Sequence, residues 1–225
     1  MNTADLAVCP FEVERVVMLH RWERLTFLHW SFDPDAVQRL LPNGLTVETV
    51  DDRAWVGLVP FFMRVGVGKQ QLHAVPWASQ FCETNVRTYV RDEAGRSGTW
   101  FFSLDAARLD AVVTARTTYR LPYFWSAMEV REAGSTIEYT CRRRWPGPVG
   151  ARSNVVVEVG EPYKIEALTA FDHFLTARWI LFSRRGARYR FARAFHEPWP
   201  LHHAVAQRCD DELIAAAGLP HPTAE

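Results

Sequence analysis

The chain is poor in lysine. Of its 26 basic side chains only Lys69 and Lys164 are lysines, and the rest are arginine. An imine-forming enzyme needs a free amine at the reacting carbon, so besides the N-terminus only these two side chains can supply one. Closely spaced cysteines are missing as well. Cys9, Cys82, Cys141 and Cys209 stand far apart with no C-x-x-C pair, which excludes a zinc ribbon, a dithiol redox motif and a disulfide framework and leaves reduced thiols. Net charge is absent: 26 basic residues balance 26 acidic ones. Without a long-range positive field, nucleic acid and anionic membrane surfaces are not expected partners. No apolar run reaches the length of a membrane span. Met1 to Glu14 has no basic start followed by an apolar stretch, so the expected location is cytoplasmic, without a signal peptide. There is no G-x-S-x-G, no glycine-rich phosphate loop and no H-E-x-x-H. His20, His29, His73, His173, His196 and the pair His202-His203 follow no metal-ligand spacing, so no metal site and no cofactor are expected.

What is present fits one domain. The chain has 225 residues, 48% of them hydrophobic, enough to bury a full core. Without an internal repeat or a low-complexity linker, a single domain over residues 15–219 is expected, with flexible termini at 1–14 and 220–225. Nine tryptophans supply large rings that fill cores and line ligand pockets. Short β-rich runs separated by turn residues dominate. Arg15 to Phe32 reads as one long or two short strands. Asp33-Pro34 caps and opens a helix that ends at Pro42-Asn43-Gly44. Leu45 to Val50 and Ala54 to Val65 join through Asp51-Asp52-Arg53, and a loop over 66–76 follows. Phe81 to Val90 and Gly98 to Leu104 form a second hairpin. Asp105 is expected to cap a helix reaching about Tyr119, with Leu109, Val112 and Val113 as its apolar stripe. A third hairpin, Met128–Arg131 with Thr136–Arg143, turns at Ala133-Gly134-Ser135. Val155 to Val159 and Tyr189 to His196 read as strands. Leu168 to Phe182 carries helical spacing, and Leu201 to Ala217 is ambiguous. The pattern predicts an α+β, mainly β fold: an antiparallel sheet closed into a barrel or sandwich with a few peripheral helices.

Phe81-Cys82-Glu83-Thr84-Asn85-Val86-Arg87-Thr88-Tyr89 carries the most chemistry. A strand alternates its side chains between two faces, so Glu83, Asn85, Arg87 and Tyr89 share one and Cys82, Thr84, Val86 and Thr88 the other. The polar face either meets solvent or turns into an apolar enclosure. In the second case a carboxylate beside a guanidinium stays ionised, the arginine can grip a substrate carboxylate at two points, and the acid can move a proton. Trp100 to Leu104 reads as a buried strand. Its Ser103 is either a donor to a ligand or a small residue in a tight place. His29, in an apolar strand, is either a hydrogen-bonded core residue or a binding residue. Arg142-Arg143-Arg144 and Arg184-Arg185 read as solvated ends of strands.

Arg21-Trp22 with Leu28-His29-Trp30, Leu41-Pro42-Asn43-Gly44-Leu45, Ala54 through Phe61, Glu83 through Val90, Trp100 through Ala106 and Leu121-Pro122-Tyr123-Phe124 together resemble the YqjF-like family of bacterial proteins, over about residues 20–201. That family is distantly similar to acetoacetate decarboxylase. The resemblance implies a curved, cone-like β-barrel with an interior pocket. It matches Glu83 to a catalytic glutamate that follows an aromatic residue, and it places an active-site arginine near Arg21 to Arg24. The decarboxylase carries its Schiff-base lysine and a second lysine just after a proline. Here Pro122 is followed by Tyr123 and Phe124, so imine chemistry is not expected.

The expected catalytic set is Glu83, Arg87 and Tyr123. The expected substrate-binding set is Arg21, His29, Asn85, Tyr89, Trp100, Ser103 and Phe124. The first functional reading is a cofactor-independent lyase, isomerase or hydrolase acting on a small organic acid or carbonyl compound, with Tyr123 donating to a developing oxyanion. The alternatives are a non-catalytic binder of an aromatic or aliphatic metabolite and a protein-interaction module. Homo-oligomerisation is left open.

Overall fold

A computed structural model describes residues 8–12, 14, 16, 18–67, 80–186 and 188–222. Lys69, His73 and most of the expected 66–76 loop lie outside the described residues, as does much of the N-terminal tail. The elements in chain order are β1 (Met18–Glu23), β2 (Leu28–Phe32), α1 (Pro34–Gln38), β3 (Leu45–Val47), β4 (Thr49–Val50), β5 (Arg53–Val67), β6 (Gln80–Asp92) and β7 (Ser97–Ala106). Then come α2 (Leu109–Thr114, continuing as a π-helical turn, Ala115–Tyr119), β8 (Tyr123–Ala133), β9 (Thr136–Trp145) and β10 (Arg152–Pro162). A 3₁₀ turn (Ile165–Ala167), α3 (Ala170–Thr176), β11 (Ile180–Arg185), β12 (Arg188–Arg193), β13 (His202–Asp211) and α4 (Leu213–Ala216) complete the chain.

Among the described residues all 13 strands join one curled sheet, whose main path runs β1-β5-β6-β7-β8-β9-β10-β13. Local chemistry sets the turns. Asp33 accepts the Asp35 amide at the start of α1, with Pro34 in its first turn. Asp51 and Asp52 both adopt positive φ, 53° and 58°, which is the two-residue turn whose twist matches a hairpin. Pairing is mostly antiparallel, but β7 runs parallel to both β8 and β11. A parallel neighbour needs a crossover, and α2 supplies it between β7 and β8.

Several sequence expectations change here. Asp105 is not a helix cap. It lies on β7 with no exposed surface, and α2 begins only at Leu109, after Arg108. Arg143 is not a solvated end: it is 1% exposed and clasps Asp105 through Nε–Oδ1 at 2.9 Å and Nη2–Oδ2 at 2.6 Å, with the Ser126 hydroxyl donating to the same carboxylate. Of the expected α2 stripe only Val112 is buried, whereas Leu109 and Val113 are exposed. The expected helix over Leu168–Phe182 is α3 followed by a strand. A capping box between Thr169 and Asp172 starts α3. Ile180-Leu181-Phe182, a short apolar run whose periodicity does not distinguish strand from helix, pairs with β12 and β7. The ambiguous Leu201–Ala217 stretch is β13 and α4.

Both faces of the β5–β6 pair are buried. Val56, Leu58 and Val86 pack with Ile137, Tyr139, Val155 and Val157 of β9 and β10. On the other face Val59, Phe61, Met63 and Phe81 pack with Leu104, Tyr123 and Val112 of α2, and with Trp22 and Phe27.

Candidate functional site

Register builds the site on that second face. Phe61, Val59 and Gly57 of β5 stand opposite Glu83, Asn85 and Arg87 of β6, and His29 of β2 stands opposite Gly57. The polar side of β6 is therefore not a solvent face: Glu83, Asn85, Arg87 and Tyr89 are 3%, 2%, 6% and 0% exposed. Gly57 makes room for the imidazole, because a Cβ there would lie 2.8 Å from His29 Nε2.

Tyr89 is the hub at one end. Its hydroxyl donates to the Leu175 carbonyl at 2.6 Å and lies 2.6 Å from His29 Nε2. A phenol has one proton, and this one goes to Leu175, so His29 donates from Nε2–H. Burial, and then the Arg87 charge, holds His29 well below the usual imidazole value, so it is neutral at pH 7. Arg87 Nη2 donates to Leu175 O at 2.9 Å and to Tyr89 Oη at 3.3 Å. Among the described residues Arg87 has no carboxylate partner. Its charge sits instead against the C-terminal carbonyls of α3, which lack intrahelical donors and carry the negative end of the helix dipole. The neighbouring carbonyls are also taken: Phe174 O accepts from Arg178 Nε and Thr176 O from Trp199 Nε1. Arg178 is held in turn by Glu48 at 2.6 Å and lies over the Tyr89 and Phe174 rings.

Glu83 occupies the other end. It accepts a 2.9 Å hydrogen bond from the Tyr123 hydroxyl. Burial raises its carboxyl from 4.5 to about 8; the Tyr123 bond opposes the rise and nearby Asp105 adds to it. Glu83 is therefore mainly a neutral acid at pH 7, and the expectation of an ionised carboxylate beside Arg87 is corrected. The reason is strand geometry. Side chains four positions apart on one strand are separated by about 13 Å, and Asn85 stands between them. Glu83 finds no cation, so it keeps its proton.

The structure brings His29, Glu83, Asn85, Arg87, Tyr89 and Tyr123 to one face. It does not bring the other four expected residues there. Arg21 is largely exposed and pairs with Glu23 at 3.3 Å on the edge strand β1. Ser103 lies opposite Val86, on the other face of β6. Phe124, adjacent to Tyr123, points the opposite way, with the Arg143 guanidinium carbon 3.7 Å from its ring centroid. Trp100 packs with Phe182, Leu45 and Val90 in a separate cluster. Residues missed in the sequence close the site over. Trp22 stacks on Trp199 (5.5 Å), Trp199 on His196 (4.4 Å) and His196 on Trp179 (4.3 Å), while Phe27 lies 5.1 Å from the Arg87 guanidinium carbon. Phe27 comes from the turn before β2, Trp179 from the link between α3 and β11, and His196 and Trp199 from the 194–201 stretch, where no periodicity marks a ring as facing inward; Trp22 lies on the edge strand β1. Four buried polar atoms on or against this face have no partner among the described residues: Trp22 Nε1, Asn85 Oδ1, Arg87 Nε and Arg178 Nη2. Among the described residues no cluster of His, Cys, Asp and Glu could hold a metal ion. No helix among them is long and apolar enough to cross a membrane.

Residues 19–225 match the family DUF2071, described as an uncharacterized conserved protein, and the chain belongs to that family. It is 31% identical over 209 residues to the uncharacterized protein YqjF of Bacillus subtilis, covering 93% of this chain and 85% of that one. Acetoacetate decarboxylase from Legionella pneumophila has a similar fold, with a TM-score of 0.51 and 14% identity over 80% of this chain and 65% of the decarboxylase. The enduracididine biosynthesis enzyme MppR complexed with pyruvate gives a TM-score of 0.57 and 15% identity over 80% of this chain and 70% of that one. At these identities the likeness is one of fold. The expected acetoacetate decarboxylase-like architecture holds.

Proposed function

We propose that this DUF2071 member binds a small organic acid or carbonyl compound on the Glu83–Arg87 face and acts on it by acid–base chemistry, without an imine or a cofactor. The observation that carries this reading is the set of buried, unpartnered polar atoms there, above all Asn85 Oδ1 and Arg87 Nε. A buried polar atom without a partner costs about 1–3 kcal/mol, and a ligand or water that supplies the partner offsets it. Arg87 lacks a carboxylate partner among the described residues, so it is suited to an anionic substrate group. Glu83, protonated at neutral pH, can give its proton to a substrate oxygen or carbon, and Tyr123 then stabilises the carboxylate it leaves. Where the decarboxylase lysines are expected, Tyr123 and Phe124 offer no amine, and Lys164 is exposed on the turn after β10. MppR, a fold neighbour, has been solved with pyruvate, which makes short 2-oxo acids the first ligands to try.

Calorimetry and proton NMR with pyruvate and a panel of short 2-oxo and 3-oxo acids test the proposal. Arg87→Ala should weaken binding at least about tenfold. Glu83→Gln should retain binding and lose turnover. Variants that bind and turn over the panel as the parent does would overturn it. The ring column from Trp22 to Trp179 favours a second reading, binding without turnover. Native mass spectrometry of freshly purified protein decides between them: an unmodified co-purifying ligand with no turnover of any panel compound supports binding alone.

A further inference from the structure

Two hollows of about 520 Å³ each lie beside the β7–β8 crossover, away from Glu83. Trp100, Phe102 and Phe182 give one of them an aromatic floor. Arg116, Arg120 and Arg184 border it, and Arg120 and Arg190 border the other. The two adjoin, since Arg120 and Gly186 line both, and among the described residues no acidic side chain lines either. In a chain with no net charge this is a local concentration of guanidinium groups. Arg116 is partly engaged, donating to the Tyr123 carbonyl at 2.6 Å. Arg120, Arg184 and Arg190 form no ion pair among the described residues.

The backbone at the junction is unusual. Arg120 has φ +57°, a left-handed conformation that costs an L side chain about 1 kcal/mol, and it directly follows the π-helical turn of α2. Glycine would serve that position without strain. The chain keeps instead a side chain that places a guanidinium where the hollows meet. Arginines without counter-charges match carboxylates, sulfonates and phosphates, and aromatic walls accept an apolar body.

We infer that these adjoining hollows form a second ligand site, for a small amphiphilic anion whose aromatic or acyl body lies against Trp100, Phe102 and Phe182 and whose head lies among Arg120, Arg184 and Arg190. The site does not rest on the Glu83 reading. The probe is 8-anilino-1-naphthalenesulfonate, compared by fluorescence titration with uncharged N-phenyl-1-naphthylamine, which has the same rings without the sulfonate. The sulfonate should bind at least about tenfold more tightly than the uncharged compound. Arg120→Gly relieves the left-handed strain, so it should fold at least as well as the parent, and combined with Arg184→Ala it should weaken the sulfonate about tenfold while leaving the uncharged compound unchanged. Arg87→Ala, which removes the guanidinium of the Glu83–Arg87 face, should leave the affinity for the sulfonate unchanged. No sulfonate binding, equal binding of both compounds, full affinity in the Arg120→Gly/Arg184→Ala protein, or a loss of sulfonate affinity in Arg87→Ala would each overturn the assignment.

Discussion

Replacing Glu83 with glutamine should alter how stability depends on pH. The side chain is 3% exposed, and burial raises its carboxyl from 4.5 to about 8. A group whose folded value lies above its unfolded value holds a proton in the native chain and releases it on unfolding. Its stabilising contribution is full below the unfolded value and is lost as pH rises through the folded one. Between about pH 4.5 and 8 each pH unit therefore removes about 1.4 kcal/mol, and the whole interval removes about 5 kcal/mol. That is a large share of a typical domain's stability of about 5–15 kcal/mol. Glutamine preserves the size and can still accept from the Tyr123 hydroxyl, but it has no proton to release. His29 and His196, both lowered by burial, titrate in the two proteins alike and cancel in the difference. Urea unfolding of both proteins at half-unit steps from pH 5 to 9 measures that difference. The variant should gain on the parent by about 1.4 kcal/mol per unit and level off above about pH 8. Parallel curves, or a parent that gains on the variant as pH rises, would refute the reasoning and mean that Glu83 is already ionised in the folded chain.

Three further outcomes follow from named contacts. Arg143→Met leaves the fully buried Asp105 carboxylate without its clasp and should cost about 3–5 kcal/mol in urea unfolding, while adding Asp105→Leu should recover most of the loss. Gly57→Ala drives a methyl to 2.8 Å from His29 Nε2 and should lower stability by about 1–3 kcal/mol; an unchanged melting temperature would contradict the close packing of that row. Tyr89→Phe removes the hydroxyl joining His29, Arg87 and the Leu175 carbonyl, and should cost about 1–3 kcal/mol by chemical unfolding.

The alternation along β6 was legible because a strand's period is fixed by its backbone. Glu83, Asn85, Arg87 and Tyr89 do share a face, and the hairpins at Asp51-Asp52 and Gly134-Ser135 carried their own turn chemistry. Pattern is silent where structure depends on partners distant in the chain. Asp105 reads as a cap because an aspartate before a helix usually is one, and only the parallel β7–β8 pairing shows it buried against Arg143, 38 positions away. The arginine run at 142–144 looks solvated because charge runs usually are, yet β9 alternates faces like any strand and turns Arg143 inward between two exposed arginines.

The site failed to be legible in a more instructive way. Sharing a face does not mean sharing a contact, and the alternation of β6 alone suggests that Glu83 and Arg87 neutralise each other. The strand rise keeps them about 13 Å apart, and each meets burial by a different route. Glu83 takes up a proton. Arg87 cannot lose one, and instead lies against the last carbonyls of α3, a helix whose position no local pattern in β6 discloses. Carbonyl dipoles take up part of a guanidinium's hydrogen bonds, here those of Nη2 and not of Nε, without cancelling its charge. The same arrangement that holds Arg87 in the interior thus leaves a positive charge at one end of the face and a proton donor at the other, so an anionic carbonyl compound meets both only if the two side chains lean toward each other over Asn85.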